Sequence, residues 1–101
     1  MAPGHSGLQK EVLGLYRRAL RMVQSKPPLA RPKFRLFVRY TFKTQVASVS
    51  PRDVAAIEHL IRKGKRQLET YEDPKVRDIW VSNAMREWQQ KDGGGRRETQ
   101  S

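Results

Sequence analysis

The sequence predicts an all-α fold: a small antiparallel three-helix bundle, then a short fourth helix and a disordered C-terminal tail. Three observations predict it. The 101 residues suit one small domain, three successive stretches carry apolar residues at helical spacing, and proline-containing breaks separate those stretches.

The first helix is expected to open at Ser6, with Gln9 three residues on completing a capping box. Leu8, Val12, Leu15, Tyr16, Ala19 and Val23 then fall within roughly a third of a wheel turning about 100° per residue, with Lys10, Arg17 and Arg21 on the opposite side. Lys26-Pro27-Pro28 ends it, because the residue before a proline is pushed out of the helical region and proline has no N–H to donate. Pro32 suits the first turn of a second helix with a stripe of Phe34, Phe37, Val38, Thr41, Phe42 and Gln45 or Val46. Arg35, Arg39 and Lys43 form a basic ridge beside that stripe, and the β-branched residues between Thr41 and Val49 weaken its end.

Ser50-Pro51-Arg52-Asp53 predicts the third start, with Ser50 as cap and Pro51 at the first helical position. Val54, Ile57, Ile61, Gly64 and Leu68 share its inner face, flanked by Leu60 and Tyr71. Asp73-Pro74 reads as a further cap and start, for a fourth helix reaching Trp88. The expected division is a disordered N-terminus at 1–5, a three-helix domain at 6–72, the C-terminal helix at 73–88 and a disordered tail at 89–101.

Charge and composition narrow the function. The net charge is +11. Residues 1–66 carry 15 basic and 3 acidic side chains, whereas residues 67–101 carry 6 and 7. The helical body therefore holds the whole excess and calls for an electronegative partner. Cysteine is absent, so thiolate nucleophiles, thiolate metal sites and cysteine-held clusters are excluded within the chain. His5 and His59 lack partners at metal spacing, and Gly93-Gly94-Gly95 follows no strand and precedes no helix. Glu58, Glu69, Glu72 and Asp73 are expected on a solvated surface, without the burial that general acid–base work requires. The sequence thus predicts no enzyme, no cofactor and no metal. No apolar run approaches the roughly 20 residues of a membrane span, and residues 1–7 are too short for a cleaved signal, so an import signal is expected within the mature chain.

Binding features remain. In Leu15-Tyr16-Arg17, the first two residues lie on or beside the apolar stripe and Arg17 projects outward. Arg62-Lys63-Gly64-Lys65-Arg66 places four cations between Glu58 and Glu69 with no acid among them, a self-repulsion that a partner would relieve. A mid-helix glycine costs about 1 kcal/mol relative to alanine, so Gly64 implies close approach of either a neighbouring helix or a partner backbone.

The run Gly7-Leu8-Gln9-Lys10-Glu11-Val12-Leu13, followed by Leu15-Tyr16-Arg17, resembles the opening of the mitochondrial LYR-motif family. Phe42, the run Ser50 to Asp53 and the run Ile57 to Leu68 extend the likeness over residues 6–72, toward the branch that assembles succinate dehydrogenase, complex II. The resemblance implies a matrix chaperone that binds and protects the iron-sulfur subunit of that enzyme and recruits the J-domain co-chaperone of cluster transfer. It assigns Leu15, Tyr16 and Arg17 to the co-chaperone, Phe42 to supporting them, and Arg62, Lys63, Gly64, Lys65 and Arg66 to the iron-sulfur subunit. Where some members repeat the motif in the third helix, this chain reads Leu60-Ile61-Arg62. An alternative within the family is an adaptor whose three-helix groove takes the acyl chain of acyl carrier protein, beside the Arg35, Arg39, Lys43 ridge, for another respiratory or iron-sulfur assembly. A basic nucleic-acid-binding module is a third reading. It rests on charge alone, has few exposed aromatics for stacking and no recognisable helix-turn-helix spacing, and is not expected.

Overall fold

The computed structural model describes residues 3–93, and over that span every regular element is helical. Helix α1 is Pro3–Gln24, α2 is Arg31–Ala47, α3 is Val54–Glu72 and α4 is Asn83–Trp88. A π-helical turn, Gln89–Gly93, continues α4. The predicted three-helix bundle with a short fourth helix is the observed fold.

The element ends differ from expectation for local reasons. Helix α1 starts at Pro3, so Ser6 lies inside it rather than capping it, and residues 3–5 of the segment expected to be disordered are helical, while residues 1–2 lie outside the described residues. Proline suits a helix start because its missing N–H is one that no helical carbonyl would accept. The Ser50 to Asp53 signal is read one turn later than expected: Asp53, not Ser50, is the cap, accepting from the Ala56 N–H at 3.1 Å. Ser50 instead closes the preceding turn, its carbonyl accepting from the Asp53 N–H at 3.0 Å. Val54, as the first helical residue, is consequently exposed. The β-branched end of α2 stops at Ala47, and the Ser48 hydroxyl donates to the Gln45 carbonyl at 2.7 Å.

The largest departure follows α3. Asp73 ends that helix rather than opening another, and its carboxylate accepts from the Lys75 N–H at 2.9 Å in an Asx turn. Residues 74–82 then run as a non-helical strap, and Ser82 caps α4 by accepting from the Met85 N–H at 3.2 Å. The helical path continues past residue 89, where the tail was expected, to Gly93; residues 94–101 lie outside the described residues.

Helix α1 packs along both α2 and α3, whereas α2 and α3 scarcely meet. The core therefore gathers at one end, where Met22, Val23, Ala30, Phe34, Val38 and Leu68 are buried together and Val76 and Ile79 of the strap close over them. Lys26 is the buried cation of this end. Its ammonium donates to the carbonyls of Val76 at 2.6 Å and Asp73 at 3.2 Å and lies 5.2 Å from the centre of the Phe34 ring. Lys33 adds a 2.7 Å ion pair to Asp78. On the far side of α2, Leu36 is buried although it falls outside the predicted stripe. The α4 region packs against α2, with Tyr40 and Trp88 edge to face at 5.7 Å.

Candidate functional site

Because α2 and α3 diverge from a shared floor on α1, the bundle encloses an open groove of about 490 Å³. Leu8, Val12, Leu15, Tyr16 and Ala19 form its floor, Phe37, Val38, Phe42 and Val46 one wall, and Ile57, Leu60, Ile61 and Leu68 the other. Phe37 and Tyr71 meet edge to face at 5.1 Å between the two walls. Leu13 and Val46, which also line the groove, remain about half exposed. Its size falls within the roughly 300–1,000 Å³ of ligand pockets, and its lining is almost wholly apolar, which suits a hydrocarbon and offers no reacting group. The sequence showed the three stripes that line this groove; their failure to close on one another depends on the angles between helices.

The Leu15-Tyr16-Arg17 motif divides between two environments. Leu15 sits against α3 at Gly64, where a Cβ built on the glycine would stand 2.9 Å from Leu15 Cδ2. Tyr16 packs against Phe42 with ring centroids 4.5 Å apart and planes tilted by 39°. Of the three, only Arg17 is exposed. Leu15 and Tyr16 thus form floor and packing, and Arg17 projects into solvent.

The cations of α3 separate in the same manner. Arg62, Lys63, Lys65 and Arg66 are all exposed, and none of them forms an ion pair among the described residues. Helical geometry puts Arg62 and Arg66 one turn apart on the face opposite Gly64, with Lys63 and Lys65 on the flanks. Gly64 faces α1, and the close approach it permits there is that of Leu15. On α2, Arg35 and Lys43 are exposed and Arg39 half-buried, so the ridge stands clear of the core.

One functional-looking pair escaped the sequence reading. Arg18 donates two hydrogen bonds to Glu72, from Nε to Oε2 and from Nη2 to Oε1, each 2.8 Å long. Glu72 was expected on a solvated surface, yet its side chain is only 33% exposed. The Arg18 hydrogen bonds hold its carboxyl below the ordinary carboxylate value, although partial burial opposes them. The pairing with Arg18 therefore favours the anionic form of Glu72. No helical spacing signals such a pair, because its members are 54 residues apart.

A carboxyl lowered by folding stabilises the native state above its unfolded value, and that contribution is lost as pH falls through the folded one. The bundle should accordingly lose stability as pH drops below about 4.5, the ordinary Glu72 value. In Glu72→Gln this slope should shrink, as thermal unfolding followed from pH 6 to pH 3 would show; an unchanged slope would contradict the assignment. Some slope should persist from Asp78, which Lys33 and the Ile79 N–H also hold low.

Among the described residues no group of three or more histidine, cysteine, aspartate or glutamate side chains is placed to hold a metal, and no helix is long and apolar enough to cross a membrane.

Residues 10–70 match the family model described as Complex 1 protein (LYR family). That span contains the motif, the groove walls and the basic run. The chain belongs to the LYR family. Within it, this LYR protein falls with the succinate dehydrogenase assembly factor 1 group. It is 40% identical over 77 residues to the mitochondrial succinate dehydrogenase assembly factor 1 of Schizosaccharomyces pombe, covering 76% of this chain and 96% of that protein. The corresponding factor 1A of Dictyostelium discoideum is 42% identical over 73 residues, covering 70% of this chain and 79% of the relative. The Saccharomyces cerevisiae factor is 35% identical over 74 residues, covering 73% and 92%. No solved structure matches.

Proposed function

We propose that this LYR protein is a non-catalytic assembly factor of succinate dehydrogenase in the mitochondrial matrix. It binds and shields the iron-sulfur subunit before that subunit joins the rest of the enzyme, and it recruits the J-domain co-chaperone of cluster transfer. The observation that carries this reading is the exposed cationic face of α3, where Arg62 and Arg66 stand one turn apart and neither forms an ion pair among the described residues. The relatives bear the name of the assembly function. A chain without cysteine cannot ligate a cluster by thiolates, so its service to cluster chemistry falls on a recipient protein. Guanidinium forks on α3 suit carboxylates of that recipient, because two parallel N–H donors match two carboxylate oxygens.

Arg62→Glu combined with Arg66→Glu should abolish capture of the iron-sulfur subunit, measured with purified proteins at physiological salt, while circular dichroism keeps its helical signal. Retained capture would sink the assigned surface. For the co-chaperone, Arg17→Ala is the cleaner variant: it should weaken recruitment with no change in melting temperature, whereas Tyr16→Ala also removes the Tyr16–Phe42 contact and should lower both.

The groove favours a second reading within the family, an adaptor for acyl carrier protein. An apolar trough of about 490 Å³ suits a fatty acyl chain, and Arg35, Arg39 and Lys43 suit an acidic carrier surface. Native mass spectrometry of the protein isolated from mitochondria should then show a mass increment for an acyl-phosphopantetheine carrier; its absence would leave the assembly role without that adaptor.

A further inference from the structure

Two large apolar side chains stand almost bare at the core end of the bundle, away from the groove. Leu29, in the α1–α2 connection, is 93% exposed and Trp80, in the strap, is 80% exposed. Their segments are neighbours: Lys26 Nζ bonds the carbonyls of Asp73 and Val76, Lys33 pairs with Asp78, and Val76 and Ile79 pack on a core that includes Ala30 and Phe34. Ile79 turns inward and Trp80 outward, so the strap spends one side chain on the core and presents the next to its surroundings.

The two segments carry a net positive charge: residues 25–33 and 73–81 hold Lys26, Arg31, Lys33, Lys75 and Arg77 against Asp73 and Asp78. Asp78 is paired with Lys33, and Lys75 and Arg77 flank Trp80 as exposed cations of the strap. Tryptophan and leucine beside cations combine the two attractions that hold a peripheral protein on an anionic bilayer: apolar insertion at the headgroup boundary and attraction of lysine and arginine to lipid phosphate. A fluid headgroup layer conforms to two isolated protruding side chains. A protein partner would have to supply a fitted pocket and a dry ring of contacts around each. The hydrogen bonds of Lys26 and the Lys33–Asp78 pair fix the strap in advance, so insertion has little ordering entropy to overcome.

We propose that this end of the molecule is a peripheral membrane-binding surface, in which Leu29 and Trp80 insert shallowly into an anionic bilayer while Lys75 and Arg77 meet its phosphates. The contact lies on the membrane, since no helix among the described residues can cross one.

The test uses the full chain carrying Trp88→Phe, which leaves Trp80 as the sole emitter of the two tryptophans. Vesicles of equal parts phosphatidylcholine and phosphatidylglycerol are compared with phosphatidylcholine alone. The protein should float with the anionic vesicles and much less with the neutral ones, and Trp80 emission should shift to the blue as the ring leaves water. Leu29→Ser combined with Trp80→Ser, both on exposed positions, should weaken flotation by at least about tenfold, since each side chain loses its apolar transfer. Circular dichroism verifies the fold of both proteins. Absence of flotation, equal flotation with neutral vesicles, flotation without a blue shift, or an undiminished double variant would each overturn the proposal. So would a Trp80→Ser protein that still floats but no longer captures the purified iron-sulfur subunit, because that result assigns the surface to a protein.

Discussion

Lys26→Met is expected to lower the melting temperature by roughly 10–25 °C, the consequence of losing about 2–4 kcal/mol in a domain of this size. Lys26 is only 3% exposed, and its ammonium donates to the Val76 carbonyl at 2.6 Å and, at 3.2 Å, to the Asp73 carbonyl, which also accepts from the Val76 N–H at 2.9 Å. Methionine preserves the aliphatic stem against Phe34 and removes every donor, so the loss isolates the hydrogen bonds from the packing. The strap should loosen with them: amide exchange over residues 75–81 should accelerate more than that of α1. A melting temperature within a few degrees of the parent, with unaltered exchange in the strap, would show that water serves the two carbonyls equally well. The same residue carries a pH signature. Burial pushes the Lys26 ammonium below its ordinary 10.5, against the opposing pull of Asp73. The native state then binds fewer protons than the unfolded chain in the window just below 10.5, so this contribution to stability rises with pH there. Lys26→Met should lack that rise.

The second large effect is expected at Gly64, where alanine and valine should behave differently. An alanine Cβ would lie 2.9 Å from Leu15 Cδ2, the far end of a flexible side chain that can rotate away. Alanine also gains about 1 kcal/mol of helix propensity, so Gly64→Ala should leave stability within about 1 kcal/mol of the parent. Valine adds two further methyl groups at the contact of Gly64 with Leu15, where α1 packs on α3. Overpacking of this kind costs about 2–3 kcal/mol, which corresponds to a fall of roughly 10–20 °C in melting temperature. Chemical denaturation of the two variants decides the matter. If valine were tolerated as well as alanine, the α1–α3 contact at Leu15 would not be the reason for a glycine at this position.

These two residues also mark where sequence reasoning succeeded and where it stopped. The glycine was legible as a site of close approach, because a mid-helix glycine is costly and needs a reason. Whether the approaching body was another helix or a partner could not be read, since that depends on which face of α3 meets α1. Lys26 was legible only as the residue before two prolines. Its burial follows from a strap that local signals placed in a helix: Asp73-Pro74 has the composition of a helix start, and the tertiary alternative uses the Asp73 carboxylate for an Asx turn and the following residues to cover the core. The pairing of Arg18 with Glu72 and the bipartite fate of Leu15-Tyr16-Arg17 were hidden for the same reason.

Periodicity and breaks along the chain were enough to determine three amphipathic helices, their order, the basic body and the absence of thiolate chemistry. The spacing of apolar residues fixes which stripe each helix must bury, and the residue inventory fixes what chemistry is available. Tertiary structure alone decided that α2 and α3 would diverge over α1 and leave an apolar groove, that Arg17 and the outer face of α3 would be the exposed cations beside it, and that a strap pinned by a buried lysine would close the core end. Crossing angles and contacts between residues some 50 positions apart in sequence set those features, and neither is encoded in any local run of residues.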